Sequence, residues 1–313
     1  MSNMRDFERV KKMKKVKKSF LYFCGRTLSL FSLFSLVYFF QVVAAPVQVA
    51  TWNLEWFPSG VAYKKLPAEI EQPLIEATAD VIRPFMPDIF ITQEVRDAES
   101  CEKLIASLGI ENLKLAVCSD FKDAKDEPLF QQCAIFTIHP VVETRSERWR
   151  TFGVVDPPRG FAYALLDVDG ELTACFSVHL KSNYKRTALD HQLNLLKREL
   201  AAAQILRFIE EMPPRPDGRA VNRFIIAGDF NTNLDDAEYL SEGTLRNLLA
   251  AGFSHCFDNV PPASRVTLPG KDLYPDTTFD HILFKGFSKQ TALRLGPSNT
   301  ELSDHRLVSV TLE

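Results

Sequence analysis

The segment Phe224-Ile225-Ile226-Ala227-Gly228-Asp229-Phe230-Asn231 constrains this chain more than any other. Its apolar run has the length and β-branched content of a buried strand. It ends on an acid and an amide two positions apart, which the strand period puts on one face. Gly228, just before them, admits close approach of another backbone. A carboxylate at the end of an apolar strand is costly to bury without hydrogen bonds or a cation, so the fold must supply them.

Four other places repeat the pattern. Val47 to Glu55 is a strand ending on Asn53 and Glu55, and Ile89 to Glu94 ends on Gln93 and Glu94. Phe176 to Asn183 carries His179 and Lys181 out of a strand, and the pairs Asp280-His281 and Asp304-His305 adjoin apolar strands near the C-terminus. Taken singly each has an ordinary reading, because an Asn at a strand end caps a turn and a lone His is more often packing than chemistry. Glu55 and His191 read as surface or packing. Together the five places give three carboxylates able to hold a hard cation (Glu94, Asp229 and Asp304), with no Cys/His spacing of the zinc type. Mg²⁺ suits this set best, with Mn²⁺ or Ca²⁺ as alternatives. Such an ion takes one or two carboxylates, keeps waters and binds phosphate oxygens, which points to phosphoryl chemistry. No Gly-x-Ser-x-Gly elbow of a serine hydrolase occurs.

Strands are expected at Val47 to Trp52, Asp88 to Val95, Ala134 to Ile138, Phe161 to Val168, Leu172 to His179, Phe224 to Phe230, Phe279 to Phe284 and Leu307 to Leu312. Leu189, Leu193, Leu196, Leu200 and Ala203 recur at helical spacing, with Thr187 and Asp190 as a capping box and Pro213 as the stop. Further helices are expected from Pro73 to Pro84 and over Ala98 to Leu108. The alternation favours an α/β sandwich, two packed sheets flanked by helices, over an all-β one.

The first 44 residues stand apart. They hold nine of the 37 Lys and Arg but two of the 40 acids, and the basic stretch leads into an apolar run from Leu28 to Val43 before Ala44 and Ala45. That order predicts a signal peptide cleaved near Ala44, with retention as an inner-membrane anchor the alternative. The expected location is secreted or periplasmic, and membrane contact is confined to this segment. The remaining chain, 45–313, holds 28 basic and 38 acidic residues, a formal charge of −10, which argues against a broad basic face for nucleic acid. Of its five cysteines, Cys118 and Cys133 end and begin two plausible neighbouring strands and are the candidate disulfide.

Thr51-Trp52-Asn53, Gln93-Glu94, His179-Leu180, Gly228-Asp229-Phe230-Asn231, Asp280 and Ser303-Asp304-His305 together resemble the endonuclease/exonuclease/phosphatase superfamily, in order and spacing. The resemblance implies a four-layered α/β sandwich of two mainly antiparallel sheets, similar to deoxyribonuclease, with 45–313 as its one domain. It implies Glu94 as the principal Mg²⁺ ligand with Asn53 and Asp304 beside it. His305 resembles the general base and Asp280 the carboxylate that orients it, while Asp229 and Asn231 would position water and phosphate and His179 would donate to a phosphate oxygen. In some relatives Asp229 takes the base role. His281 stands where many relatives have Tyr or Arg, and alternation points it away from the site. Lys181, Lys185 and Arg186 are weaker candidates to grip a phosphodiester backbone, on similarity to secreted bacterial nucleases. An exported, monomeric DNA nuclease without an obligate protein partner is the first expectation. A sphingomyelinase-like phospholipase or a nucleotide or inositol phosphatase is the second. A non-catalytic binding protein retaining the fold is the reading of another class.

Overall fold

A computed structural model describes residues 45–271, 275–298 and 301–313. The leader expected at 1–44 therefore lies outside the described residues.

Among the described residues, twelve strands and four α-helices follow in chain order as β1 (Val47–Phe57), α1 (Ala68–Ile82), β2 (Ile89–Val95), α2 (Ala98–Leu108), β3 (Lys114–Cys118), β4 (Gln132–Thr137), β5 (Val141–Arg148), β6 (Gly160–Val168), β7 (Glu171–His179), α3 (Ala188–Glu210), β8 (Val221–Asp229), α4 (Thr244–Ala250), β9 (Ser254–His255), β10 (Asp280–Lys285), β11 (Gln290–Leu295) and β12 (Val308–Leu312). They build two six-stranded sheets, ordered β11-β12-β1-β2-β4-β3 and β5-β6-β7-β8-β10-β9. Each sheet has one parallel pair, β1 with β2 and β7 with β8, and all its other pairs are antiparallel. A parallel pair needs a crossover, which α1 provides in the first sheet and α3 in the second.

The central strands are buried on both faces, which is why they read as continuous apolar runs. Val49, Ile89, Ile91, Ile135, Cys175, Ile225, Ala227, Ile282 and Val308 interdigitate between the sheets. The alternate residues Trp52, Phe90 and Phe136 pack outward against Ile75, Ile82 and Leu104 of α1 and α2. Phe176, Phe224 and Ile226 pack outward against Ala201, Ile205, Leu245 and Leu248 of α3 and α4. Four layers therefore enclose three apolar seams, as the resemblance implied.

Two expectations need correction. The leucine stripe of α3 is not its packing face: Leu189 is 64% exposed, and the buried residues are Asn194, Arg198, Ala201, Ala202 and Ile205. Arg198 can face inward because Glu242 meets its Nη2 at 2.6 Å and its Nε at 2.8 Å. Cys118 and Cys133 do not form a disulfide; all five described cysteines are free. Cys118 sits opposite Ala134, so Cys133, one residue along, projects from the other face of β4. Cys118 packs with Cys101 of α2 in the outer seam, whereas Cys133 lies with Phe121 and Ala162.

None of the described helices is long and apolar enough to cross a membrane.

Candidate active site

Both parallel pairs end at the same edge of the sandwich. Going towards it, the inward-facing residues of β1 run Val49, Thr51, Asn53, those of β7 Cys175, Ser177, His179, and those of β8 Ile225, Ala227, Asp229. The apolar seam thus turns polar over its last two layers. Gln93 lies across the first of these, its Nε2 donating to Ser177 Oγ at 3.1 Å and Thr51 Oγ1 at 3.4 Å, while Ser177 Oγ donates to the Thr92 carbonyl at 2.9 Å. This joins the sheets and forms a floor. Gly228, at φ +140, leaves room for it: a Cβ there would collide with the Val178 carbonyl and the Gln93 amide.

Above the floor the strand ends converge. Asn53 Nδ2 donates to Asp229 Oδ2 at 3.1 Å and to Glu94 Oε1 at 3.3 Å, tying the first sheet to the second. His179 Nε2 faces the same two carboxylates, 3.4 Å from Asp229 Oδ2 and 3.7 Å from Glu94 Oε1. His305 Nδ1 meets Asp280 Oδ2 at 2.8 Å, and its Nε2 lies 3.9 Å from Asp229 Oδ2 and 3.7 Å from Asp304 Oδ1. Asp280 and Asp229 are direct partners on β10 and β8. Ser303 carries the C-terminal approach, with its Oγ donating to the Asn53 carbonyl at 2.7 Å and accepting from the His305 N–H at 3.0 Å. Glu94 at φ +59 and Asn231 at φ +53 adopt left-handed backbone that non-glycine residues hold only where the surroundings over-determine it. Asn231 is held by its N–H on Asp229 Oδ1 at 2.9 Å, by Nδ2 on the Leu180 carbonyl at 3.3 Å, and by Asn183 Nδ2 on its own carbonyl at 2.7 Å.

The electrostatics divide the titratable groups. Burial pulls the His305 pKa down, but the charge and hydrogen bond of Asp280, with Asp229 and Asp304 adding, outweigh it and hold the imidazole well above its ordinary value. Burial raises Asp229 to about 7; Asp280 adds to this, and His305, the Asn231 N–H and Asn53 oppose it. His179 moves the other way, well below the ordinary value, through burial and the charges of Arg159, His305 and Lys181. It is a neutral imidazole whose Nδ1 is buried without a partner, so the proton belongs on Nε2, towards the carboxylates.

The donor set fits a hard divalent cation. Glu94, Asp229 and Asp304 converge at the strand ends, Glu94 accepts only two long bonds of 3.3 Å from Asn53 Nδ2 and the Trp56 N–H, and none of the thiols is among them. Among the described residues no group of three or more His, Cys, Asp or Glu side chains is placed to hold a metal ion. An ion that keeps most of its waters needs only one or two carboxylates. Asn53 turns its Nδ2 to the carboxylates and its Oδ1 to the Glu55 N–H, so it reaches an ion through oxygen only after an amide turnover. Asp304, with its side chain 55% exposed, stands on the rim.

Thus Asn53, Glu94, His179, Asp229, Asn231, Asp280 and His305 are brought together. Lys181 and Arg186 are not: Lys181 Nζ is turned onto Ser182, and the Arg186 guanidinium lies over the Tyr184 ring. Lys185 pairs with Glu238. His281 points away, bonded to His255 Nε2 at 2.8 Å and the Thr232 carbonyl at 2.9 Å. Two residues escaped the reading of the sequence. Glu55 is not mere surface, since its Oε2 accepts the Asp304 N–H at 2.9 Å; burial, Asp304 and Glu94 raise its pKa. Arg159 donates from Nη2 to the carbonyls of His179 (3.0 Å) and Leu180 (2.8 Å), fixing the turn that carries His179. Its only sequence signal is a place after Pro157-Pro158, which marks a loop and no chemistry.

The same fold occurs in solved structures. An endonuclease/exonuclease/phosphatase family protein from Leptotrichia buccalis is 17% identical with a TM-score of 0.58, the match covering 85% of this chain and 99% of that one. The endonuclease/exonuclease/phosphatase from Bacteroides vulgatus is 16% identical with a TM-score of 0.59, covering 86% and 99%. TDP2 from Caenorhabditis elegans is 15% identical with a TM-score of 0.56, covering 85% and 75%. At these identities the likeness speaks for the fold alone. Among curated proteins none matches the sequence. The family model for the Endonuclease/Exonuclease/phosphatase family matches residues 50–305, which take in every strand end of the cluster, and the chain belongs to that family.

Proposed function

We propose that this protein is an exported, Mg²⁺-dependent phosphodiesterase that hydrolyses DNA by attack of water on phosphorus. Members of its family are generally metal-dependent phosphoric ester hydrolases. One observation carries the reading for this chain: the buried His305–Asp280 dyad opens onto Asp229, which Asn53 joins to Glu94.

In this reading Glu94 holds the cation, with Asp304 on the rim and Asn53 beside it; the ion supplies Lewis acidity at a phosphoryl oxygen. His305 Nε2 takes the proton from the attacking water, and Asp280 fixes the ring through Nδ1 and stabilises the imidazolium that results. Asp280 is the main influence that raises the His305 pKa, with Asp229 and Asp304 adding to it, so the ring would act as a base once pH passes that raised value. Asp229 and Asn231 position water and phosphate, and Asp229, with its pKa near neutral, is the second candidate base. His179, neutral and tied down by Arg159, donates Nε2–H where negative charge builds on the phosphate. The donor would bring no positive charge of its own.

The test is hydrolysis of plasmid and single-stranded DNA, RNA, sphingomyelin and mononucleotides by the purified protein with Mg²⁺ or EDTA. The proposal expects DNA cleavage with Mg²⁺ alone. Turnover confined to lipid would replace it by the phospholipase reading, and turnover confined to mononucleotides by the phosphatase reading.

A further inference from the structure

The carboxylate cluster is bracketed by aromatic rings on two sides. On the Glu94 side, Trp56, whose N–H donates to Glu94, packs against Tyr63 with ring centroids 4.8 Å apart, and Tyr63 against Phe130 at 6.1 Å. Trp56 and Phe130 are half-buried, whereas Tyr63 is 63% exposed, so the trio presents an open face to water. The segment that carries Trp56 and Tyr63 is built to hold them there. Glu55, Trp56 and Tyr63 all have left-handed backbone (φ 41, 58 and 53), and the turn between them is closed by the N–H groups of Ser59 and Gly60 on the Trp56 carbonyl and by Ser59 Oγ on the Val61 carbonyl. Three strained non-glycine residues in nine need such support to persist. Next to Phe130, Gln131 Oε1 accepts from Arg159 Nη1 at 3.0 Å, which couples the trio to the His179 turn and places a half-buried cation behind it.

On the Asn231 side, Tyr184 is 71% exposed with the Arg186 guanidinium 6.0 Å above its ring. Its neighbour Asn183 is hydrogen-bonded to the Asn231 carbonyl, and the Tyr184 carbonyl accepts from Asn194 of α3 at 2.9 Å. This second ring is therefore fixed by backbone to the other flank of the cluster.

We infer that the site takes single-stranded nucleic acid, with a base seated on the Trp56–Tyr63–Phe130 platform on one flank of the scissile phosphate and another on Tyr184 on the opposite flank. The inference rests on the phosphodiesterase reading and narrows its substrate. A phosphate with a flat ring on each side is a nucleotide chain; a monoester or a lipid headgroup offers a ring to one flank at most. Bases in a duplex are stacked on one another and cannot reach protein rings, whereas unpaired bases stack on aromatic side chains with little regard to sequence. Stacking also explains how a chain with a formal charge of −10 over 45–313 holds a polyanion without a basic face.

The experiment compares a single-stranded oligodeoxynucleotide, an abasic oligomer of the same length and the oligonucleotide annealed to its complement. Cleavage by the wild type, Tyr63→Ala, Tyr63→Phe and Tyr184→Ala is measured as kcat/KM, and binding of the same three by His305→Ala as Kd. Each alanine variant is expected to lose about tenfold or more on the base-bearing single strand and far less on the abasic one, with Tyr63→Phe close to wild type. His305→Ala is expected to bind the base-bearing strand about tenfold more tightly than the abasic one. Equal losses on the two strands, no loss, or a preference for the duplex would overturn the inference. If the wild type cuts no nucleic acid the nuclease reading falls, and the binding arm still decides whether the rings take bases.

Discussion

His305 Nδ1 lies 2.8 Å from Asp280 Oδ2, and the two residues come from opposite sheets, Asp280 at the start of β10 and His305 before β12. Asp280 is fully buried, and its second oxygen has no hydrogen-bond partner. A carboxylate placed at that cost has one strong interaction available, with the imidazole. Asp280→Asn is expected to lower kcat by about 10²- to 10⁴-fold. It also removes the main influence raising the His305 pKa, and a base with a raised pKa works only once pH climbs past it. The rising limb of the pH–rate profile is therefore expected to move to lower pH as the plateau falls; a lower plateau with an unmoved limb contradicts the role.

Glu94 stands among Asp229, Asp304 and Glu55 with two long hydrogen bonds and no salt-bridged Lys or Arg. Glu94→Gln is expected to weaken Mg²⁺ binding by on the order of tenfold or more in calorimetric titration. In EDTA the same change relieves like-charge repulsion, so the thermal midpoint is expected to rise by a few degrees. Unchanged Mg²⁺ binding together with a lowered thermal midpoint would make Glu94 a packing residue.

Gly228→Ala puts a Cβ against the Val178 carbonyl and the Gln93 amide at a backbone angle that alanine rarely adopts. A loss of about 1–3 kcal/mol in urea unfolding is expected. The Gln93 floor has to move, so activity is expected to fall as well.

His255 of β9 and His281 of β10 are buried and hydrogen-bonded to each other, with pKa values lowered by burial to about 4 and about 3. In the unfolded chain both titrate near 6.5. The unfolded state therefore takes up protons first as pH falls, so their contribution is full above about 6.5 and is lost progressively towards pH 4. The thermal midpoint is expected to drop across that window, and less steeply in His255→Gln. An equal slope in the variant would assign the acid lability to other groups.

The strands legible in the sequence are those buried on both faces. β5, reading Val-Val-Glu-Thr-Arg-Ser-Glu-Arg, together with β9 and β11, went unread because these are edge strands, half wetted or very short, and carry no apolar run. The α3 helix was legible from its capping box, but its buried face was not, because Arg198 becomes a core residue only through Glu242, 44 positions away. The cluster was legible for a related reason. Asn53, Glu94, His179 and Asp229 lie near the ends of apolar strands and Asp280 begins one, so polar chemistry appears where packing predicts a boundary. Arg159 and Tyr63 lie in loops and Trp56 in the last turn-like residues of β1, where polar and aromatic residues raise no alarm, and their roles exist only once these segments are folded against the strand ends.

The most direct test of the central claim is cleavage of DNA by the wild type, His305→Ala and Glu94→Ala, each verified as folded by circular dichroism, in Mg²⁺ and in EDTA. Cleavage by the wild type in Mg²⁺ alone, lost in both variants, is the expected result. Cleavage in EDTA, or undiminished turnover by His305→Ala, would contradict the assignment of this cluster as a metal-dependent phosphodiesterase site.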